Sequence, residues 1–237
     1  MIRSIFHRIK YPHGAFPHMP HLVMSGYKVD VGKVVCIVPV GSKGKGARTS
    51  ILLKPQSSII HYDGEVIPPK GCAVIGCIPM LALAVGERID RNKRGKAKCL
   101  LGYGMALHLF DRASLSSASE EGLPWAAASG HDTFCPVSDF TSAEEVEDLS
   151  ALELYVMVNG KEAIRTDTGS LVMRIDEALS LVSRTMTLHP GDIIGISFKD
   201  AEMALSHGDL MEGGISAVGL VRNKVRTAKG DLEEGAT

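Results

Sequence analysis

Hydrophobic and polar residues alternate along several stretches of the chain, and this two-residue period predicts β-strands. The alternation is regular from 152 to 158, where every second residue is Leu or Val. Asn159 and Gly160 follow at once, and this dipeptide is typical of a tight hairpin turn. Apolar runs rich in β-branched residues predict two more strands, at 34–40 and at 215–221.

One segment has a helical period instead. Large apolar residues recur three or four positions apart from Ile175 to Met186, and Asp176 is a candidate N-cap for this helix. Pro190 then predicts that the helix has ended. Many short strands with few helices predict a mainly β (α+β) fold, a mixed β-roll or sandwich with few short helices.

The N-terminal segment differs from the rest of the chain. The first ten residues place four large apolar side chains on one helical face and three basic ones elsewhere, with no acid before Asp30. This pattern predicts a mitochondrial targeting segment; an amphipathic helix that docks on a partner is the alternative. Residues 11–28 are rich in Pro and His and predict an extended leader. The predicted divisions are an arm at 1–32, a domain at 33–228 and a polar tail at 229–237.

Composition excludes several classes of protein. Twenty-six basic and 27 acidic residues give a net charge of −1, so binding to a polyanion would need local patches. Five scattered cysteines predict a reducing compartment, and Cys72 and Cys77 are predicted to be buried thiols rather than metal ligands. No apolar stretch reaches about eighteen residues, so we predict no membrane span.

Several motifs occur in a fixed order between about 33 and 237. Each is short and unspecific alone, but their order and spacing make the set specific. Together they resemble the fumarylacetoacetate hydrolase family, with Leu-Pro-Trp and Cys-Pro-Val-Ser most similar to its mitochondrial acylpyruvate hydrolase and oxaloacetate decarboxylase branch. The motifs are Leu-Leu-Lys-Pro at 52–55, Ala-Val-Gly at 84–86, Gly-Tyr at 102–103, Leu-Pro-Trp at 123–125, Cys-Pro-Val-Ser at 135–138, His-Pro-Gly-Asp at 189–192 and His-Gly-Asp at 207–209.

The resemblance implies a metal site whose ligands are absent here. Active members hold a hard divalent cation with a Glu-x-Glu pair ahead of the Val-Gly motif and an aspartate after Gly-Tyr. These positions correspond to Ile78, Met80 and His108. Magnesium requires oxygen ligands in a near-octahedral array, so the sequence predicts no metal and no cofactor. Mg or Mn is the alternative if a site has been rebuilt.

The other catalytic positions that the resemblance implies are also altered. The family lysine that neutralises the developing enolate corresponds to Ser129, and a hydroxyl carries no positive charge. The interval 38–50 lacks the His and Glu of the family's general-base segment, and 195–199 replaces its substrate loop. We therefore predict a catalytically inactive pseudoenzyme that serves as a structural or accessory subunit of a mitochondrial assembly, a ribosome or a respiratory complex.

An alternative keeps catalysis. A rebuilt site around His108, Asp111 and Ser129 would make the chain an active metal-dependent hydrolase or decarboxylase of acylpyruvate-like β-keto acids. Asp111 lies one helical turn beyond His108, although an exposed ion pair with Arg112 is the simpler expectation. Turnover and bound metal distinguish the two hypotheses.

Two basic loops are candidate contacts for RNA or for a protein partner, and a solvated surface is the alternative. Family resemblance also implies a homodimer, or a heterodimer with a related chain. The expected partners are thus subunits of a larger mitochondrial complex and, through these loops, RNA. The residues concerned are Lys43, Lys45, Arg48, Arg88, Arg91, Lys93, Arg94, Lys96 and Lys98.

Overall fold

The computed structural model describes residues 21–24, 27–40, 48–91 and 95–227, and these form a strand-rich body. The strands are β1 His21–Met24, β2 Tyr27–Asp30, β3 Val34–Val40, β4 Arg48–Lys54, β5 Ile59–Ile60, β6 Glu65–Val66, β7 Ile75–Val85, β8 Leu100–Asp111, β9 Cys135–Pro136, β10 Thr141–Ser142, β11 Glu153–Val158, β12 Lys161–Asp167, β13 Ile193–Ser197, β14 Met203–Leu205, β15 Leu210–Ile215 and β16 Gly219–Val225. The α-helices are α1 Arg112–Glu121, α2 Ala126–Ser129 and α3 Ile175–Thr185. Short 3-10 turns occupy Gln56–Ser58, Ala97–Cys99 and Thr168–Ser170.

A seven-stranded mixed sheet forms the centre of the fold. Its order is β10-β8-β7-β13-β3-β4, and β14 adds to β7. The antiparallel pair β7 and β8 is the longest, and every residue of β7 is buried. Because β7 is buried on both faces, its sequence is continuously apolar rather than alternating, and β13 next to it is buried throughout in the same way.

One face of the central sheet packs against a second, five-stranded sheet in the order β12-β11-β15-β16-β6, and against α3. Leu81 and Leu107 of the central sheet share this core with Leu154 of the second sheet and Leu179 of α3. The helix has an apolar face because Leu179 and Val182 are three residues apart, and both are fully buried.

The opposite face of the central sheet carries a smaller core. Here the β1–β2 hairpin contributes Leu22 and Met24, which pack in one cluster with Ala106, Val137 and others. The division at 1–32, 33–228 and 229–237 stays a prediction, since residues 1–20 and 228–237 lie outside the described residues. No helix in the described parts of the chain has the length and apolarity needed to cross a membrane.

The predicted mainly β fold with few short helices is confirmed, and so are most elements. The strands at 34–40 and 152–158 are β3 and β11, and Asn159 and Gly160 form the turn to β12 with φ of 52° and 74°. The helix from 175 is α3, but its N-cap is Arg174 rather than Asp176, whose carboxylate instead accepts from the backbone of Ala97 at 3.1 Å.

The predicted strand at 215–221 is wrong. β15 ends at Ile215, and a turn with Ala217 at a φ of 59° separates it from β16, which begins at Gly219. The two strands pair with each other across this turn. An apolar run across a turn cannot be distinguished from a continuous strand by hydrophobicity alone.

Candidate active-site pocket

Three of the four altered family positions, Ile78, His108 and Ser129, come together in one pocket of about 350 Å³. Residues of β3, β4, β7 and β8 line the pocket, and residues of α1 and α2 line its outer side. Ile78 and His108 are directly paired across β7 and β8, so their side chains lie on the same face of the sheet. Ser129, at the end of α2, lines the same pocket. The volume suits a small molecule.

The floor of the pocket is apolar where the family's metal ligands would stand. Ile78 is 7% exposed and Met80 is fully buried. Met80 packs over Gly195 of the neighbouring strand β13, so closely that a Cβ on that glycine would come within 2.6 Å of the Met80 sulphur. The thioether thus occupies the space beside the β13 backbone, and Met80 itself does not reach the pocket wall.

His108 is the pocket's buried titratable group. It is 2% exposed, its ring lies 5.5 Å from the ring of Phe110, and its Nδ1 has no hydrogen-bond partner among the described residues. Burial lowers the pKa of His108 well below its ordinary value, and Lys54 nearby adds to this effect. The imidazole is therefore neutral at pH 7 and has a nitrogen available for a ligand.

Lys54 is a buried amine directly behind the pocket wall, and it joins the two ends of the curled sheet. It ends the edge strand β4, while its Nζ donates to the carbonyl of Leu109 on β8 at 2.8 Å and to that of Ser129 at 2.5 Å. The side chain is 2% exposed, and no described carboxylate forms an ion pair with it. A buried cation without a counter-ion is costly.

Burial accordingly lowers the pKa of Lys54. Three thiolates would oppose this shift, but they do not form at neutral pH. Burial raises the pKa of Cys36 to about 12 and that of Cys135 to about 11, and it raises that of Cys77 as well. All three thiols are uncharged at pH 7 and provide no counter-charge, so the burial that lowers the pKa of Lys54 is not offset by them.

The rim of the pocket carries opposite charges. Arg112 at the start of α1 and Glu202 both line the pocket and form an ion pair at 3.0 Å, with the two side chains 48% and 39% exposed. An exposed pair of this kind is weak and exchanges readily. A guanidinium at the mouth of the pocket can therefore turn to a carboxylate that enters from solvent.

Asp111 does not act as the sequence suggested. It is 7% exposed and is the N-cap of α1, accepting from Ala113 N at 3.1 Å and from Ser114 Oγ at 2.5 Å. Arg112 pairs with Glu202 instead. Of the rebuilt set His108, Asp111 and Ser129, the pocket thus holds only the first and the last, and the Ser129 hydroxyl donates to Trp125 O at 3.2 Å.

These side chains do not fit a hard divalent cation. Ile78, Met80 and His108 provide at most one thioether and one imidazole, whereas magnesium and manganese prefer oxygen ligands. Among the described residues, no group of three or more His, Cys, Asp or Glu is placed to hold a metal ion. Cys72 and Cys77 are free and buried, as predicted.

A larger cavity of about 1010 Å³ opens next to Cys72 and His207. Both ring nitrogens of His207 lie at hydrogen-bonding distance from backbone carbonyls, those of Arg226 at 3.1 Å and Cys72 at 2.8 Å. The imidazole thus stabilises the loop rather than facing a ligand. The smaller pocket at His108 holds the unpaired group, and we take it as the candidate active site.

The sequence analysis assigned no functional role to Lys54, which it noted only within the Leu-Leu-Lys-Pro motif, and it did not identify Glu202 or Ser197. A lysine within the apolar run of β4 was a usable signal for the first. Ser197 is fully buried on β13 with a hydroxyl that has no partner among the described residues, and its Cα is paired with that of Met80. Nothing in the local sequence around Glu202 indicated its position at the rim.

The basic residues are only partly described. Arg48 is exposed at the start of the edge strand β4, while Arg88, Arg91, Lys96 and Lys98 are exposed in the connection from β7 to β8. Arg88 pairs with Asp90 at 3.2 Å. Contact of these residues with RNA or a partner protein stays a prediction; Lys43, Lys45, Lys93 and Arg94 lie outside the described residues.

Comparison with known proteins gives a consistent result. The family described as "Fumarylacetoacetate (FAA) hydrolase C-terminal" matches residues 29–226. The mitochondrial oxaloacetate tautomerase of Rattus norvegicus is 29% identical over 180 residues, covering 76% of this chain and 81% of the relative. The mitochondrial oxaloacetate decarboxylase of Dictyostelium discoideum is 27% identical over 168 residues, covering 70% and 77%.

A solved structure confirms the fold. The fumarylpyruvate hydrolase of Pseudomonas aeruginosa, solved with Mn²⁺ and pyruvate, superposes with a TM-score of 0.82 at 20% identity, covering 92% of this chain and 100% of that chain. A metal is thus present in a protein of this fold. Whether this chain uses one depends on its own ligands.

These relatives correct the prediction of an inactive protein. The interpretation as a pseudoenzyme rested on the loss of family ligands, but proteins about 30% identical over most of the chain are named as enzymes. The prediction that the chain is not an enzyme is therefore wrong, and the comparisons give no support to a structural-subunit role. Ile78 and Met80 stand where the family has metal ligands, and this difference concerns the mechanism rather than whether the chain is an enzyme.

Proposed function

Because the chain belongs to the fumarylacetoacetate hydrolase family, we propose that it is an enzyme of small β-keto acids of the oxaloacetate and acylpyruvate class. We place its active site in the pocket between Ile78, His108 and Ser129, and we propose that it works without a hard divalent cation. The observation that carries this proposal is the buried, neutral imidazole of His108, whose Nδ1 has no partner among the described residues.

A neutral imidazole in a small pocket suits proton transfer next to a carbonyl. The hydrogens between the two carbonyl groups of a β-keto acid are acidic, and tautomerisation or decarboxylation passes through an enol or enolate. His108 can accept a proton from this carbon and return it. Its position on β8, with its neighbours in the sheet, fixes the ring relative to the pocket.

The rest of the pocket orients the substrate. Arg112 at the rim provides a guanidinium for one carboxylate of the substrate, released from its exposed pair with Glu202. The apolar wall formed by Ile78, Leu52 and Phe110 excludes water from the other end. Exclusion of water strengthens the electrostatic interactions at the reacting carbon.

A kinetic experiment tests the proposal. Purified protein, dialysed against EDTA, is assayed for enolisation and decarboxylation of oxaloacetate and for cleavage of an acylpyruvate. We expect turnover that persists in EDTA and that His108→Asn lowers by about 10²- to 10⁴-fold. His189→Asn, at an exposed position, is the matched control and keeps the wild-type rate. Absence of turnover on all three reactions contradicts the proposal.

We also propose a mitochondrial location and a homodimer. The location is supported by the amphipathic first ten residues and by the names of the rat and Dictyostelium relatives. Import of the full chain into isolated mitochondria, with protection from added protease, tests the location, and light scattering of the purified chain tests the dimer. A protease-sensitive chain and a monomeric mass would contradict them.

A further inference from the structure

Lys54 is a buried nucleophile that the proposed proton transfer at His108 does not use. Its side chain lies on the same face of β4 as that of Leu52, two residues earlier, and Leu52 lines the pocket. Its Nζ is bound to the carbonyls of Leu109 and Ser129, which are respectively the residue after His108 and a residue of the pocket wall. The amine therefore lies directly behind the pocket wall, next to the residue that follows His108 and next to Ser129.

Two properties distinguish Lys54 from an ordinary structural lysine. Its partners are neutral carbonyls, and no described carboxylate pairs with it, so nothing charged in the described chain holds the ammonium form. Burial lowers its pKa, which increases the fraction of nucleophilic free amine at neutral pH. The long flexible stem of lysine allows Nζ to leave the two carbonyls and turn into the pocket.

We propose that Lys54 is a catalytic residue that forms an imine with the ketone of the β-keto acid substrate, in place of the metal ion as the electron sink. This inference rests on the proposed function, and it deepens that function by naming how electrons are accepted. A protonated imine withdraws electrons from the neighbouring carbon as a metal-bound carbonyl would. The absence of oxygen ligands at Ile78, Met80 and His108 then follows from a different way of stabilising the same charge.

Oxaloacetate reacts through an imine and then an enamine. The neutral amine of Lys54 adds to the ketone carbon, and uptake of one proton from solvent with loss of one water gives the protonated imine. The bond to the leaving carboxylate breaks, CO₂ departs, and its electron pair moves into an enamine. His108 passes a proton taken from solvent to the enamine carbon, which regenerates the protonated imine, and one water hydrolyses this imine to release pyruvate, the free amine and one proton. The sum is oxaloacetate plus one proton giving pyruvate and CO₂.

Reductive trapping on the wild-type protein tests this step directly. The EDTA-dialysed protein is incubated with oxaloacetate and cyanoborohydride, and the modified residue is located by peptide mass mapping. We expect a pyruvyl adduct on Lys54, with activity lost in proportion to labelling. Lys161, which is exposed, is the internal control and stays unlabelled. A parallel incubation in ¹⁸O-labelled water should exchange the ketone oxygen of the pyruvate at the first turnover.

Variants separate chemistry from structure. Lys54→Arg keeps a hydrogen-bonding cation but cannot form the imine, and we expect it to lower decarboxylation by about 100-fold or more. Lys161→Arg, at an exposed position on β12, should keep the wild-type rate. If Lys54→Arg does not fold, the trapping and the isotope exchange still decide the matter on the wild-type chain. Turnover without a label on Lys54 overturns this inference alone, whereas absence of any turnover overturns the proposed function and this inference with it.

Discussion

Replacing Met80 by glutamate restores one of the family's carboxylates at a position that is now closed and apolar. Met80 is fully buried and packs over Gly195. A carboxylate there loses its hydration without gaining a cation, so its pKa is raised in the folded protein. A rise of about 2–3 pKa units, at about 1.4 kcal/mol each, predicts a loss of about 3–4 kcal/mol in the free energy of unfolding at pH 7.

The pH dependence gives the sign of this effect. A carboxyl group with a raised folded pKa is neutral in both states below pH 4, where the penalty is absent. The penalty grows as the pH rises above the unfolded pKa and is complete above the folded pKa. Met80→Gln is the matched control, because it buries a polar group of the same shape that does not titrate. Urea unfolding of both variants between pH 4 and pH 8 in EDTA measures the difference.

Two results would refute this reasoning. Equal stability of Met80→Glu and Met80→Gln at pH 7 would mean that the position is solvated or faces a cation. Stabilisation of Met80→Glu by Mn²⁺ would mean that one carboxylate completes a metal site already present. We expect neither result. The triple variant I78E/M80E/H108D has three carboxylates, and its free energy of unfolding should rise by about 2.7 kcal/mol at a Mn²⁺ concentration of 100 times its Kd.

Three further predictions concern the framework of the pocket. Gly76→Ala places a Cβ inside the ring of Phe110, so it should lower the free energy of unfolding by about 1–3 kcal/mol, and Phe110→Leu in the same chain should restore part of it. Asp111→Ala removes the N-cap of α1 and should cost about 1 kcal/mol, while Asp111→Asn should cost less. Burial raises the pKa of Cys36 to about 12 and that of Cys135 to about 11, so the free energy of unfolding should fall above pH 9 by about 1.4 kcal/mol per pH unit for each thiol. Cys36→Ala should reduce this slope in urea unfolding measured at several pH values. An unchanged slope would contradict the assignment of the pH dependence to Cys36.

Part of the fold was predictable because local patterns coincide with the tertiary structure. The alternation at 152–158 survives as β11 because Leu154 and Val156 are buried, whereas Glu153 is exposed and Tyr155 and Met157 are half-buried. The helix α1 was missed because none of its residues is buried, so it has no apolar period. Its signals were Asp111 as N-cap, a run of Ala, Ser and Glu, and Gly122 as C-cap with a φ of 67°.

The candidate active site was also only partly predictable from the sequence. The resemblance located Ile78, His108 and Ser129, and the structure places all three around one pocket. It could not show that Lys54 joins them, because Lys54 reaches Leu109 and Ser129 only when the sheet curls and its edge strand meets β8. Contacts between residues 55 and 75 positions apart depend on the whole topology rather than on any local pattern.

The most direct test of the central claim is the initial rate of pyruvate formation from oxaloacetate by the full chain, with its metal content measured before and after dialysis against EDTA. We expect a protein-dependent rate that is unchanged in metal-free protein and is lost in His108→Asn. A rate that appears only when Mg²⁺ or Mn²⁺ is added back would show that catalysis depends on a metal and would overturn the proposal.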